Sequence, residues 1–401
     1  MRSKKVGLTE FLMNKIFLYA ALSAFITPMQ THLYAQGHDF SAPGSATTTA
    51  PVNPHFEVFT PKETSKVDQI DYGAWSEAMN YLVFPMGPAI REAPSWPQPG
   101  LGSRRLYGHS SRYRMEGNRV MFSFFTDELR TMVTDYRLEL EQIASAIDIT
   151  TLPRNEQLAF WFNLHNVAVM EKIANEWPIR QPREIELDGV PFDQAKFMNI
   201  GGIAISPHDI RHQIVYRNWN DPRVIYGFWR GEIGGPSLPS DAFTGSNVSQ
   251  VLERNAREFV NSLRGLERRG ERLQISAIYD EARPYFFENW ITDIRSHLNA
   301  FATQEVLDII AATSSTEAVI YEADIADLAG GVREPTYSSI SSSGRDGIER
   351  SQSFRIPQGT ARLLQEQAQR AENAREKRRR TGTVIFDPIN LPGRDNNGEV
   401  E

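Results

Sequence analysis

The stretch from Asp221 to Leu238 reads D-P-R-V-I-Y-G-F-W-R-G-E-I-G-G-P-S-L. Pro222 opens it, and Val224 to Trp229 is an apolar run of the length of a short buried strand. Arg230 and Glu232 follow at once, set among Gly231, Gly234, Gly235 and Pro236. A buried strand that runs into a glycine-rich turn with two opposite charges is where many folds place a site. A structural turn with a surface ion pair would have the same sequence, and at this level both readings stand.

Upstream, Glu156 to Trp177 is predicted as a helix. Its segment F-W-F-N-L-H-N-V-A-V-M is apolar nearly all round, which makes it the buried central helix. Asn163, His165 and Asn166 lie inside it, and buried polar groups need partners, either neighbouring backbone or a cavity. Ile185 to Ile205 reads as two short strands around turns at Asp188-Gly189 and Gly201-Gly202. Ser206-Pro207-His208-Asp209 starts a helix, with Ser as cap, Pro at the first position and Asp as the capping-box acid. His208 and His212 are spaced as in the zinc-protease pattern H-E-x-x-H. Asp209 is explained by capping and no third ligand stands out, so neither a metal nor another cofactor is expected.

Elsewhere, helices are predicted over Tyr72 to Phe84, Thr126 to Asp148, the stripe Val248, Leu252, Phe259 and Leu263, and Trp290 to Thr313. Strands are predicted over Arg272 to Ser276 and Ala318 to Tyr321. Between Gly87 and Asn118, Arg104, Arg105, Arg112 and Arg114 alternate with Tyr107, His109 and Tyr113. That pattern suits an anionic or stacking ligand or a solvated surface loop. Several helices with few short strands, not in regular alternation, imply an α+β fold: a helix-rich single domain around a buried central helix.

The ends differ in kind. Basic residues precede the apolar run Ile16 to Ile26, and Ala35 offers a small residue for cleavage, so residues 1–35 are expected to be a signal peptide. The run is too short for a stable membrane span. Translation from either Met1 or Met13 would give that layout. Residues 36–55 read as a disordered linker, 56–331 as the folded domain, and 332–401 as a low-complexity tail. Within the tail, Thr360 to Arg380 reads as a solvated helix without a core face. The whole chain has 43 basic and 50 acidic residues. An acidic surface argues against a nucleic-acid partner. With no cysteine at all, disulfides, a thiol nucleophile and a thiolate metal site are excluded.

Four motifs now resemble the domain of unknown function 547 family, whose pattern is F-W-I-N-L-Y-N-A, S-L-x-D-I-E-H, D-P-R-I-H-Y-A-x-N-C-A-S-I-G-C-P-x-L and S-x-I-Y. This chain gives Phe160 to Val167, Ser206 to His212, Asp221 to Leu238 and Ser276 to Tyr279, in that order. The departures are specific. The two family cysteines fall on Arg230 and Gly235, the glutamate of I-E-H on Arg211, and the tyrosine of N-L-Y-N on His165. His212 matches. A guanidinium is no nucleophile, so a cysteine-histidine hydrolase is excluded for this chain.

Two functions remain. The first is an exported, secreted or periplasmic ligand-binding or pseudoenzyme domain of the cell envelope, with a pocket around the Trp229–Pro236 turn. Arg230 would bind a small anionic ligand or envelope component, Trp229 would stack, Glu232 would counter a cation or pair with Arg230 or Arg211, and Asn166 would line the pocket. The second is a hydrolase or transferase with His212 as general base, His165 nearby and water or Ser237 as nucleophile.

Overall fold

The structure, a computed structural model, describes residues 53–97, 106–334, 337–343 and 349–381. The expected signal peptide, most of the linker, Arg104 and Arg105 lie outside the described residues. No helix among the described residues is long and apolar enough to cross a membrane.

Helix α1 (Gly73–Leu82) leads into strand β1 (Val83–Phe84), which pairs antiparallel with β2 (Arg119–Val120). Helix α2 (Asp127–Ala146) is capped by the Thr126 side chain, which accepts from the Leu129 amide, with Asp127 and Glu128 at its positive end. The central helix α3 (Arg154–Glu176) is buried from Glu156 to Glu171 without a break. Its all-round apolar surface leaves it no solvent face, so the other elements pack around it. The result is the helix-rich α+β architecture that the sequence implies.

Where two strands were expected over residues 185–205 there are two hairpins: β3 (Glu186–Leu187) with β4 (Val190–Pro191), and β5 (Met198–Ile200) with β6 (Ile203–Ile205). Their turns, Asp188-Gly189 and Gly201-Gly202, all have positive φ (52°, 78°, 58° and 87°). Such two-residue turns match the strand twist. The Ser206–Asp209 capping box forms as read, and the helical stretch continues through a π-helix, Ile210–Val215.

The stretch read as a buried strand is buried but not extended. Pro222–Gly227 is a 3-10 helix, started by the Asp221 side chain accepting from the Arg223 amide. A β-carbon at Gly227 would lie 2.3 Å from the Phe162 ring, so glycine here lets the segment press against α3. Helix α4 (Val248–Val260) packs on its other side. The three-stranded sheet of β7 (Leu266–Arg269), β8 (Arg272–Ser276) and β9 (Ser315–Ile320) pairs β7 antiparallel and β9 parallel to β8. Helices α5 (Ile278–Phe286), α6 (Trp290–Phe301) and α7 (Gln304–Ala311) connect β8 to β9.

Past the hairpin of β10 (Tyr337–Ser343) and β11 (Glu349–Pro357), helix α8 (Gln358–Thr381) corrects the expectation of a helix without a core face. Leu363 is buried with Phe84, Met86, Met115, Met121 and Leu328. The Gly359 amide donates to both Glu334 carboxylate oxygens, at 3.0 and 2.9 Å. Arg114 pairs with Glu366 at 2.8 Å, and Arg362 and Arg370 donate to the carbonyls of His109 and Met115. The Arg112–Arg114 loop is therefore the seat of α8. The apolar contribution comes from Leu363, with Ala361 and Leu364 beside it, at the start of a largely charged helix, too sparse a signal for periodicity to show. Removing a buried leucine side chain costs about 2–5 kcal/mol. A Leu363→Ala variant should therefore open this helix locally and speed tryptic cleavage at Arg362 and Arg370 severalfold, and an unchanged rate would mean that the polar anchors suffice.

Candidate functional site

Asn163 and Asn166 stand three residues apart on one side of α3, and both are spent on backbone. Asn163 donates to the Phe243 carbonyl at 2.7 Å and accepts from the Phe243 amide at 3.0 Å. Asn166 donates to the Gly227 carbonyl and accepts from the Trp229 amide, both at 3.0 Å. Asn166 therefore lines no pocket: it does for an irregular segment what a neighbouring strand would do. The Trp229 ring is not a stacking face either. It is 1% exposed and lies parallel to Phe122, with centroids 6.4 Å apart.

The side chains that do converge meet at Glu281, on α5. Its carboxylate accepts from Arg230 Nη1, from Arg211 Nε at 3.2 Å and from His212 Nε2 at 2.8 Å. Arg211, 2% exposed, also grips Asp193 through both terminal nitrogens, at 2.8 and 2.7 Å. Burial works to raise the Glu281 carboxyl, but Arg230, Arg211 and the His212 hydrogen bond hold it well below the usual carboxylate range. Asp193 is likewise lowered, Arg211 outweighing burial.

The histidines are accounted for atom by atom. An ionised carboxylate only accepts, so His212 donates from Nε2 to Glu281, and its Nδ1 takes the Tyr285 hydroxyl at 3.2 Å. The His208 ring stacks on His212, with centroids 4.0 Å apart. His165 is fully buried. Its Nδ1 donates to Asn166 Oδ1 and its Nε2 accepts from Arg211 Nη1, both at 3.0 Å. Burial first, and Arg211 second, push His165 down to about 3. With its lone pair capped by a guanidinium, His165 has no free base nitrogen, which corrects its candidacy as a catalytic group. Ser237 bonds Glu258 at 3.0 Å and Arg264 at 3.2 Å, a cluster separate from His212.

Glu232 does not pair with Arg230 or Arg211. It accepts from Tyr321 at 3.4 Å, and burial, opposed by Arg230 and Arg183, pushes its carboxyl up to about 7. A cleft of about 510 Å³, walled by Pro178, Ile179, Arg180, Gln181, Glu184 and Asp324, borders this end of the turn, where the Ile233 amide donates to the Asp324 carbonyl. Arg230 is not among its walls. The Arg230 side chain is 20% exposed, and its Nη1 bond to Glu281 is its one hydrogen bond among the described residues. Its Nε is buried without a well-formed hydrogen bond, and the Tyr216 hydroxyl lies close beside the guanidinium.

Residues 149–260 match the family model described as "Protein of unknown function, DUF547". No curated protein and no solved structure matches the chain. The DUF547 segment includes Asn163, Asn166, Arg211, His212 and Arg230 but ends before Glu281, the carboxylate that joins three of them. Sequence reading missed Glu281 and Asp193. Glu281 follows the motif Ser276 to Tyr279 by two residues, and its place on the next helix was the available signal.

The two positions that the resemblance gives to cysteines are adjacent in space. A β-carbon on Gly235 would lie 3.8 Å from the Arg230 β-carbon, within the span of a disulfide. The double variant Arg230→Cys with Gly235→Cys should therefore oxidise to an intramolecular disulfide, read as a loss of two free thiols in the unfolded, non-reduced chain. Two titratable thiols under mild oxidant would refute that geometry.

His165, buried neutral with its pKa depressed from the ordinary value, favours folding fully above about pH 6.5, and that contribution is lost as pH falls toward 3. Between pH 6 and 4 the urea stability of a His165→Gln variant should fall less steeply than that of the parent, by up to about 1.4 kcal/mol per pH unit. Equal slopes would mean that His165 is not held neutral.

Proposed function

We propose that this chain is an exported, non-catalytic binding domain that takes a small acidic ligand on Arg230. The observation that carries the reading is the unused edge of that guanidinium. Nη1 is held by Glu281, which fixes the group's orientation, while Nε is buried without a well-formed hydrogen bond and has the Tyr216 hydroxyl close beside the guanidinium. The Nε edge of an arginine suits the two oxygens of a carboxylate or phosphate, and a preset guanidinium loses little freedom on binding. A buried donor left unmade costs about 1–3 kcal/mol, which a ligand oxygen would recover.

The catalytic alternative has less support. Both nitrogens of His212 are engaged, and Ser237 belongs to another cluster. Export rests on the basic start and the apolar run before Ala35.

Titration of the full chain with inorganic phosphate, acetate and succinate tests the binding reading, with calorimetry as readout. Arg230→Met should weaken binding by tenfold or more. It should leave most of the stability intact, because Glu281 keeps Arg211 and His212. Arg211→Met should instead remove the guanidinium that bridges Asp193 and Glu281 and cost more stability than Arg230→Met. The reading fails if the parent binds none of these anions, or if Arg230→Met loses as much stability as Glu281→Gln.

A further inference from the structure

The charges joined at Glu281 are in balance. Two guanidiniums, Arg211 and Arg230, face two carboxylates, Asp193 and Glu281, and the ion pairs run between them without a break. An anion on Arg230, whose binding is proposed above and on which this inference rests, leaves one negative charge in excess. Excess charge in a partly buried cluster is costly, and a neighbour that gains a proton relieves it.

His212 stands where that proton can go. Its Nε2 donates to Glu281 Oε1 at 2.8 Å, while Arg230 holds Oε2 of the same carboxylate. One carboxylate therefore separates the imidazole from the guanidinium. On its other side, His212 Nδ1 accepts from the Tyr285 hydroxyl at 3.2 Å. A hydroxyl donates or accepts by turning its O–H bond. After protonation Nδ1 can donate to Tyr285 across the same contact, with no heavy atom displaced. The two hydrogen bonds thus serve both charge states.

The surrounding groups are poorer acceptors of a proton near neutral pH. His208, Arg211 and Tyr216 face His212 from its own helical stretch, and Glu281 and Tyr285 from α5. Asp193 and His165 lie behind Arg211, and Arg230 behind Glu281. Against burial, the arginines hold Glu281 and Asp193 well below the usual carboxylate range. His165 is pushed down to about 3, its lone pair taken by Arg211. Burial lowers His208, and His212 and Arg211 add to that. Burial also raises the Tyr216 and Tyr285 hydroxyls, which stay protonated. Glu232, pushed up by burial to about 7, is the rival, and its carboxylate bonds Tyr321 rather than any member of the cluster.

We infer that anion binding at Arg230 is coupled to proton uptake on His212, so that the site holds its ligand more tightly as pH falls through the histidine range. The coupling is reciprocal: the anion stabilises the imidazolium, and the imidazolium stabilises the bound anion.

Calorimetric titration of the full chain with acetate and with sulfate, whose charges stay fixed from about pH 8 to about pH 6, tests the coupling. The parent should bind about tenfold more tightly at the lower pH, with an enthalpy that changes with the buffer's own ionisation enthalpy because a proton is taken up. In its NMR spectrum the His212 ring proton should titrate at higher pH with saturating anion than without. His212→Gln keeps an N–H for Glu281 and cannot gain a proton, so it should bind with one affinity at both pH values. His208→Gln and Glu232→Gln should keep the parent's slope. A parent that binds neither anion at either pH overturns the binding reading and this inference with it. A parent that binds equally at both pH values, or whose His212 resonance does not shift its titration, overturns the coupling alone. So does a His212→Gln variant that keeps the slope or loses binding at both pH values, or a Glu232→Gln variant that loses the slope.

Discussion

Backbone satisfaction by asparagine amides is the constraint on which the rest of this structure depends. The chain from Pro222 to Phe243 crosses the core as a 3-10 helix and irregular turns, with Val224 to Trp229 buried. Buried peptide groups outside regular structure must find partners, at about 1–3 kcal/mol for each one left unmade. Asn163 and Asn166 reach from one side, and Asn255 of α4 reaches from the other to the Tyr226 and Ser237 carbonyls at 3.1 and 3.3 Å. Each amide both fills a bonding need and fixes a distance. The position of Arg230, one residue beyond a pinned Trp229, follows from that pinning.

Fixing Arg230 there has an electrostatic consequence. Two guanidiniums, Arg211 and Arg230, come close enough to share Glu281, and each disfavours the other. Asp193 and Glu281 together balance them, and the cluster survives burial because its charges are paired and hydrogen-bonded. Arg230, Arg211 and His165 are three of the positions where the chain departs from the pattern it resembles, and all three fall in this cluster. They make sense as one change: a second arginine needs a neutral, accepting neighbour, and His165 with its lone pair toward Arg211 supplies one.

Much of the scaffold was legible from local chemistry. The Thr126 cap, the Ser206–Asp209 capping box, the paired turn glycines and the all-round burial of α3 follow from short-range rules, and the structure has each of them. What was not legible depends on distant partners. Val224 to Trp229 has the composition of a strand but no strand beside it, and its bonds go to asparagines on two helices. Glu232 was the obvious partner for Arg230 by proximity in sequence. The pair that forms uses Glu281, 51 residues away. The docking of α8 rests on a short apolar patch around Leu363, on the Glu334 and Glu366 carboxylates and on backbone carbonyls, none of which a sequence pattern marks.

The two positions to which the resemblance gives cysteines, 230 and 235, form one coupled pair in the structure. Position 235 lies against the stem of residue 230, its β-carbon site 3.8 Å from the Arg230 β-carbon. Side chains at both positions would therefore compete for one space, which two sulfurs could share as a bond. A guanidinium at 230 needs that volume for itself, and glycine at 235 concedes it. The charge so installed then needs a counter-ion, which Glu281 supplies from outside the DUF547 segment. The turn thus carries a fixed positive charge, held by Glu281 at one nitrogen. Such a group can hold an anion in place, and it has neither an electron pair to attack a substrate nor a proton to give up near neutral pH.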